Sequence, residues 1–149
     1  MEELQVALKI VLANTYAMYF KAHGFHWNLE GNVFPEYHTF FENIYTEVYG
    51  AVDDIAERIR VLETYAPANM ATLSQMSTIT EGDICGTLVK DMLENLQKAN
   101  ESVIESLNAA HKLAEDAKQF GIVNKLEERL DMHNKHAWMI RSTLKGTSL

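Results

Sequence analysis

Four side chains of metal-binding type recur at helical spacing in one stretch of this sequence, as His38-x-x-x-Glu42 and Asp53-x-x-x-Glu57. Imidazole nitrogen and carboxylate oxygen together suit a divalent transition metal. On a wheel of about 100° per residue the four share an arc of roughly 100°. The apolar stripe of the same stretch, Tyr37, Phe41, Ile44, Val48, Val52, Ile55, Ile59 and Leu62, is centred roughly 130° away. These groups therefore point away from the chain's own core. The midpoints of the two pairs lie about 15 residues, or about 22 Å, apart along a helix, too far for one ion to bridge. A second copy packed antiparallel about a two-fold axis near Glu47 and Val48 sets His38 and Glu42 of one chain against Asp53 and Glu57 of the other, making two equivalent sites. Thr46, Tyr49 and Gly50 lie on the same or adjoining face, and Gly50 has no side chain to obstruct close approach. A solitary acidic pair on a helix is ordinarily a solvated face. Two pairs in phase with His38, and His26 one tight turn upstream, argue for more.

The elements that carry these residues follow from periodicity. A first long helix runs from Leu4 to about His26, with Leu4, Ala7, Leu8, Val11, Met18 and Phe25 on one face. Glu30-Gly31-Asn32 is a turn signal in which Gly31 supplies positive φ and Asn32 can cap the next helix, and Pro35 suits a first helical turn. The second helix spans about Val33 to Tyr65, with Pro67 marking its end. Ala68 to Glu81 reads as a connector containing a brief helix. A third helix runs from about Asp83 to Ala117, carrying Ile84, Leu88, Met92, Leu96, Val103, Leu107, Ala110 and Ala114. Gly121 interrupts before a fourth, from about Val123 to Leu144, and Gly146 is a stop. The expectation is an all-α four-helix bundle, and the long connector between the second and third helices suits ferritin-like connectivity.

With 149 residues, 47% hydrophobic and 23% charged, and only 2 Pro and 7 Gly, the chain has room for one domain (1–149). That composition excludes a disordered or collagen-like protein and leaves little for the turns of an all-β fold. Thirteen Lys and Arg against 21 Asp and Glu give a net charge of −8, which disfavours nucleic acid phosphates and anionic membranes. No membrane span is expected. The lone Cys85 has no disulfide or metal-knuckle partner, and Met1-Glu2-Glu3 lacks the positive start of a secretory signal, so a reducing, cytoplasmic setting is expected.

The run His26-Trp27-Asn28-Leu29-Glu30-Gly31-x-x-Phe34-x-x-x-His38-x-x-x-Glu42, followed by Asp53-x-x-x-Glu57-Arg58, resembles the Dps-type mini-ferritins, the DNA-protection-during-starvation family. The Lys135-His136-Ala137-Trp138-Met139 segment is similar to that family's closing helix. The resemblance implies a dinuclear iron site shared between two-fold-related subunits, with His26, His38 and Glu42 from one chain and Asp53 and Glu57 from its partner. It implies Fe(II) oxidation, preferentially by hydrogen peroxide and otherwise by oxygen, and storage of Fe(III) mineral in a hollow homo-oligomer, a dodecamer. It also implies a role for Trp27 beside the iron, trapping an oxidising equivalent, against the plainer reading of a packing aromatic.

Three residue patterns depart from that family. Glu42 stands where Asp is common, one methylene longer, which bears on the second iron position. Asn124 stands where an acidic residue usually lines the iron-entry pore, although Glu115, Asp116, Glu127, Glu128 and Asp131 are nearby. The basic tail that DNA-coating members use is absent, so DNA binding is expected to be weak or absent. Two other functions stand beside iron oxidation: a DNA-coating protein with little dependence on iron, and a structural helical oligomer whose site is degenerate or holds zinc as an adventitious occupant. His23 reads as a hydrogen-bonded histidine, Arg58 as an ion-pair partner between subunits, Cys85 as a small apolar residue. His133 and His136 have metal spacing with only Asp131 for a carboxylate on their own turn, and are left out of the site.

Overall fold

The computed structural model describes residues 1–82 and 87–145. Among these, six helices and no strand follow one another: α1 Glu2–Asn28, α2 Phe34–Gly50, α3 Val52–Val61, α4 Met70–Met76, α5 Val89–Asp116 and α6 Phe120–Leu144. The class is the all-α bundle expected from periodicity, with the short helix in the long connector. Ile84, Cys85 and Gly146 lie outside the described residues.

Helix α1 begins on Glu2 and Glu3, whose charges complement the helix dipole, and buries Leu4, Leu8, Val11, Met18, Ala22 and Phe25. Its neighbours are α2 and α3 along one side, α5 along another and α4 across the outside, while α5 pairs with α6. Phe41, Ile44, Val48, Ile55 and Ile59 meet it from the bent α2–α3 arm, and Met92, Leu96, Val103 and Leu107 from α5. Each large side chain buried this way contributes about 1.5–3 kcal/mol.

Between α1 and α2 the chain reverses at Gly31, whose φ of 116° only glycine adopts readily, and the Phe34 N–H closes the turn on the Gly31 carbonyl at 3.1 Å. Asn32 does not cap α2 as expected; Val33 is the N-cap and no side chain accepts there. Pro35 sits at the second helical position, where no intrahelical N–H is required.

The second helix differs from the single rod expected. It bends at Ala51, whose N–H bonds Val48 O at 3.1 Å in a tightened i→i+3 turn before Ile55 N–H to Ala51 O resumes the α pattern. Gly50, a poor helix former, precedes the bend. The arm ends at Val61, well before Pro67, because Glu63 takes the left-handed conformation (φ 62°) and donates its N–H to Arg60 O at 2.9 Å.

Asn14, which interrupts the apolar face of α1, is fully buried and holds the connector. Its Oδ1 accepts from the Thr78 N–H (2.8 Å) and the Ser77 hydroxyl (3.0 Å), and its Nδ2 donates to the Thr78 hydroxyl at 2.9 Å. Within the connector, Asn69 caps α4 by accepting the Thr72 N–H at 2.9 Å. Helix α5 starts at Val89, not near Asp83; Leu88 is its N-cap and is 64% exposed, so it leaves the apolar stripe. At the other end Lys118 (φ 56°) and Gln119 close a Schellman turn, through Lys118 N–H to Glu115 O and Gln119 N–H to Ala114 O, both 2.9 Å. Helix α6 starts directly after this turn, so Gly121 lies inside its first turn and does not precede it.

Candidate metal centre

The Gly31 reversal lays the last turn of α1 against the first turn of α2, and His26 and His38 meet there. Their rings stack with centroids 3.6 Å apart and planes 15° from parallel. Nδ1 of His26 donates to the His38 carbonyl at 2.7 Å, and Nδ1 of His38 donates to the His26 carbonyl at 2.8 Å. A carbonyl only accepts, so both rings carry their proton on Nδ1, and in each neutral ring Nε2 keeps the lone pair that a metal uses. Hydrogen bonding of the non-ligating nitrogen is the support that metal-bound imidazoles ordinarily have. Phe34 covers the His38 ring at 4.7 Å, and Tyr45 stands edge-on to His26 at 5.2 Å.

Glu42 is exposed one turn further along α2. Asp53 and Glu57 are exposed on α3, beyond the bend. Asp53 pushes the Glu57 carboxyl above its ordinary range, first by sharing a hydrogen bond and then by like charge. The His26, His38 and Glu42 group and the Asp53 and Glu57 group do not meet within one chain. Among the described residues of the single chain, no three His, Cys, Asp or Glu side chains come together as a group able to hold a metal ion.

Around the two-fold axis expected from the sequence, Thr46, Tyr49 and Gly50 are exposed, and the space over Gly50 is open. Val48, by contrast, is wholly in the core, and the Glu47 side chain turns inward. Trp27 is 55% exposed and lies 4.3 Å from the His23 ring, so it is not a core-packing residue. His23 is stacked on Tyr45 at 3.9 Å and shares a hydrogen bond with the Tyr19 hydroxyl at 2.9 Å, as a hydrogen-bonded histidine should. Burial, then the neighbouring His26, lowers its pKa. Arg58 forms its ion pair inside the chain, with Asp54 at 3.1 Å. Asn124 is exposed and reaches Glu128 at 3.5 Å.

A second polar group, absent from the sequence expectation, lies inside the bundle. Glu47 receives both terminal nitrogens of Arg129 and, on Oε1, Nε2 of His136 at 2.8 Å. Arg129 also reaches Nε2 of His133 at 3.0 Å, and Nδ1 of His133 meets Asn100 Oδ1 at 2.8 Å. Burial by itself raises the Glu47 carboxyl, but the hydrogen bonds and charges of His136 and Arg129 override it and hold the group at about 2. The His133-x-x-His136 spacing was visible in the sequence. Its carboxylate comes from α2, and the available signal was that Glu47 falls on the apolar stripe, three residues after Ile44.

A family model described as a ferritin-like domain matches residues 5–149. The "DNA protection during starvation protein 2" of Bacillus anthracis is 31% identical over 140 residues, covering 89% of this chain and 90% of that one. The "DNA protection during starvation protein" of Brevibacillus brevis is 29% identical over 140 residues, covering 94% and 93%. Among solved structures, Dps from Thermosynechococcus elongatus superposes with a TM-score of 0.91 at 27% identity, covering 99% of this chain and 93% of that one. The Vibrio cholerae O1 protein gives 0.92 at 26% over 97% and 90%, and is described as a member of a broad superfamily of ferritin-like diiron-carboxylate proteins. Sequence run, bundle and relatives agree, and the chain belongs to the ferritin-like family as one of its Dps, or DNA-protection-during-starvation, proteins.

Proposed function

We propose that this protein oxidises Fe(II) and stores the Fe(III) product, at sites that two copies of the chain complete together. The observation that carries the reading is the reciprocal clasp of His26 and His38 through their Nδ1 atoms, which leaves both Nε2 atoms for a metal, with Glu42 exposed one turn after His38 on α2. Asp53 and Glu57 supply the complementary carboxylates on the same outward face. In an antiparallel pair each histidine end meets a carboxylate end, and the open space over Gly50 permits close approach. Imidazole and carboxylate donors with open positions hold Fe(II) and still admit an oxidant. With hydrogen peroxide as oxidant, each of two Fe(II) ions gives up one electron, the O–O bond breaks, and both oxygens end as hydroxide or oxide bound to Fe(III). Trp27, exposed beside His23 and adjacent in sequence to His26, is positioned to take up a stray oxidising equivalent. The assembly is a closed homo-oligomer, a dodecamer, whose interior receives the mineral. A charge of −8 per chain, multiplied over such a shell, makes DNA coating a minor activity at physiological salt.

Anaerobic titration with Fe(II) followed by peroxide tests the reading. Stoichiometric Fe(III) formation is expected in the unaltered protein and its loss in His38→Ala/Asp53→Ala. Absence of oxidation, or its persistence in the double variant, overturns the assignment. A salt-resistant shift of plasmid mobility by the iron-free protein favours DNA coating instead.

A further inference from the structure

The group inside the bundle gathers a carboxylate and an imidazole around an arginine. Arginine nitrogens only donate, so His133 Nε2, 3.0 Å from Arg129, must accept, and its proton is on Nδ1 facing Asn100 Oδ1. Asn100 Nδ2 donates to the His133 carbonyl at 2.9 Å, which fixes the amide in the orientation this requires. The ring is neutral: burial, then Arg129, drives its pKa well below the usual value. Three lone-pair donors thus converge on one cation, both Glu47 oxygens and His133 Nε2. His136 Nε2 donates to Glu47 Oε1 as well, and its buried Nδ1 has no hydrogen-bond partner among the described residues. Carboxylate and imidazole groups projecting inward from facing helices are the usual donors of a metal site in a helical bundle.

Access does not explain why the position holds no more than a guanidinium. A cavity of about 230 Å³, lined by Asp54 and Glu128 among others, opens onto Glu47 and Arg129, while neither His133 nor His136 lines it. We propose that the Arg129 guanidinium is the resident cation of the bundle interior, filling the position a divalent metal ion would take between the Glu47 carboxylate and His133 Nε2, and thereby confining metal binding to the outward histidine and carboxylate groups. As they stand, the interior donors are spread around a planar guanidinium and not drawn to metal distance, in keeping with the lack of any metal-holding cluster among the described residues. Removing the guanidinium leaves a charged Glu47 and a neutral His133 facing each other in a buried space, with the strongest local demand for a cation. The confinement clause rests on the iron-site reading; the identity of the interior cation does not.

Co(II), whose visible absorption reports coordination by nitrogen and oxygen, is the probe. The full-length oligomer and its Arg129→Met and Arg129→Gln variants are titrated side by side, so that metal on the outward groups cancels whether or not those groups bind any. The variants are expected to take up one further equivalent per chain, to melt at higher temperature with Co(II) than without, and to lose both properties when His133→Ala is added. Equal Co(II) uptake by variant and unaltered protein overturns the proposal. So does an extra equivalent that survives His133→Ala. If both variants are unfolded and saturating Co(II) does not restore the helical circular dichroism, the donors do not accept a metal and the proposal fails.

Discussion

Asp53 and Glu57 sit one helical turn apart, and Asp53, by hydrogen bonding and then like charge, raises the Glu57 carboxyl pKa against the smaller lowering by Arg58. A divalent cation binding this pair competes with protonation of Glu57. Metal affinity should therefore climb with pH through the upper carboxylate range, and calorimetric titration of Co(II) in buffers of different ionisation enthalpy should register proton release that Asp53→Asn abolishes. Glu47 behaves oppositely. Its native pKa of about 2 lies below the ordinary 4.5, so the native state binds fewer protons, and the stabilisation is complete above about pH 4.5 and disappears as pH falls toward 2. The difference corresponds to about 3 kcal/mol. His133, neutral when folded, adds a loss that begins where an unfolded histidine starts to charge, near pH 6.5. Urea unfolding of Glu47→Gln should show a deficit of about 3 kcal/mol at neutral pH that narrows at pH 3. A deficit independent of pH would mean that Glu47 acts by packing alone.

At the level of elements, the helices were legible wherever an apolar period ran unbroken, and illegible where local chemistry overrode it. Leu4, Leu8, Val11, Phe41, Ile44, Ile55 and Leu96 are buried as their spacing requires. Leu88 kept the period but fell at an N-cap, where the backbone is extended and the side chain faces water. Helix α3 ends through left-handed Glu63, a residue type that carries no stop signal, so Pro67 drew that boundary too late; α5 ends through left-handed Lys118 at the expected Ala117, and Gly121 displaced only the start of α6. Lys118→Gly should remove that strain and raise stability by about 1 kcal/mol, seen as a higher Tm. Asn14 was legible as an interruption of α1 but not as an anchor, since its partners lie more than 60 residues away. Asn14→Leu should cost about 2–3 kcal/mol in urea unfolding and open residues 69–82 to limited proteolysis, because the Thr78 N–H and the Ser77 hydroxyl lose their acceptor. The common outward face of His38, Glu42, Asp53 and Glu57 was legible because those four share the α2–α3 arm; the interior group was not, because α2, α5 and α6 each supply part of it.

For the whole molecule, the proposed function requires a pair of chains as the active unit, because the histidine and carboxylate ends are separated along one bent arm. Mixing His38→Ala and Asp53→Ala subunits gives mixed pairs in which one of the two sites is intact and the other doubly broken. Random co-assembly should then restore about a quarter of the peroxide-dependent Fe(II) oxidation. No recovery in verified mixed assemblies excludes the shared geometry. No helix among the described residues is long and apolar enough to cross a membrane. The clasp between His26 and His38 bears on how any such experiment is read. Each ring is a tether for the other's backbone as well as a proposed ligand, so replacing one histidine unmoors the second ring and slackens the corner where α1 meets α2 besides subtracting a donor. The two are one mutational unit. The effects of His26→Ala and His38→Ala overlap and do not sum, and a single substitution overstates what one imidazole does for the metal.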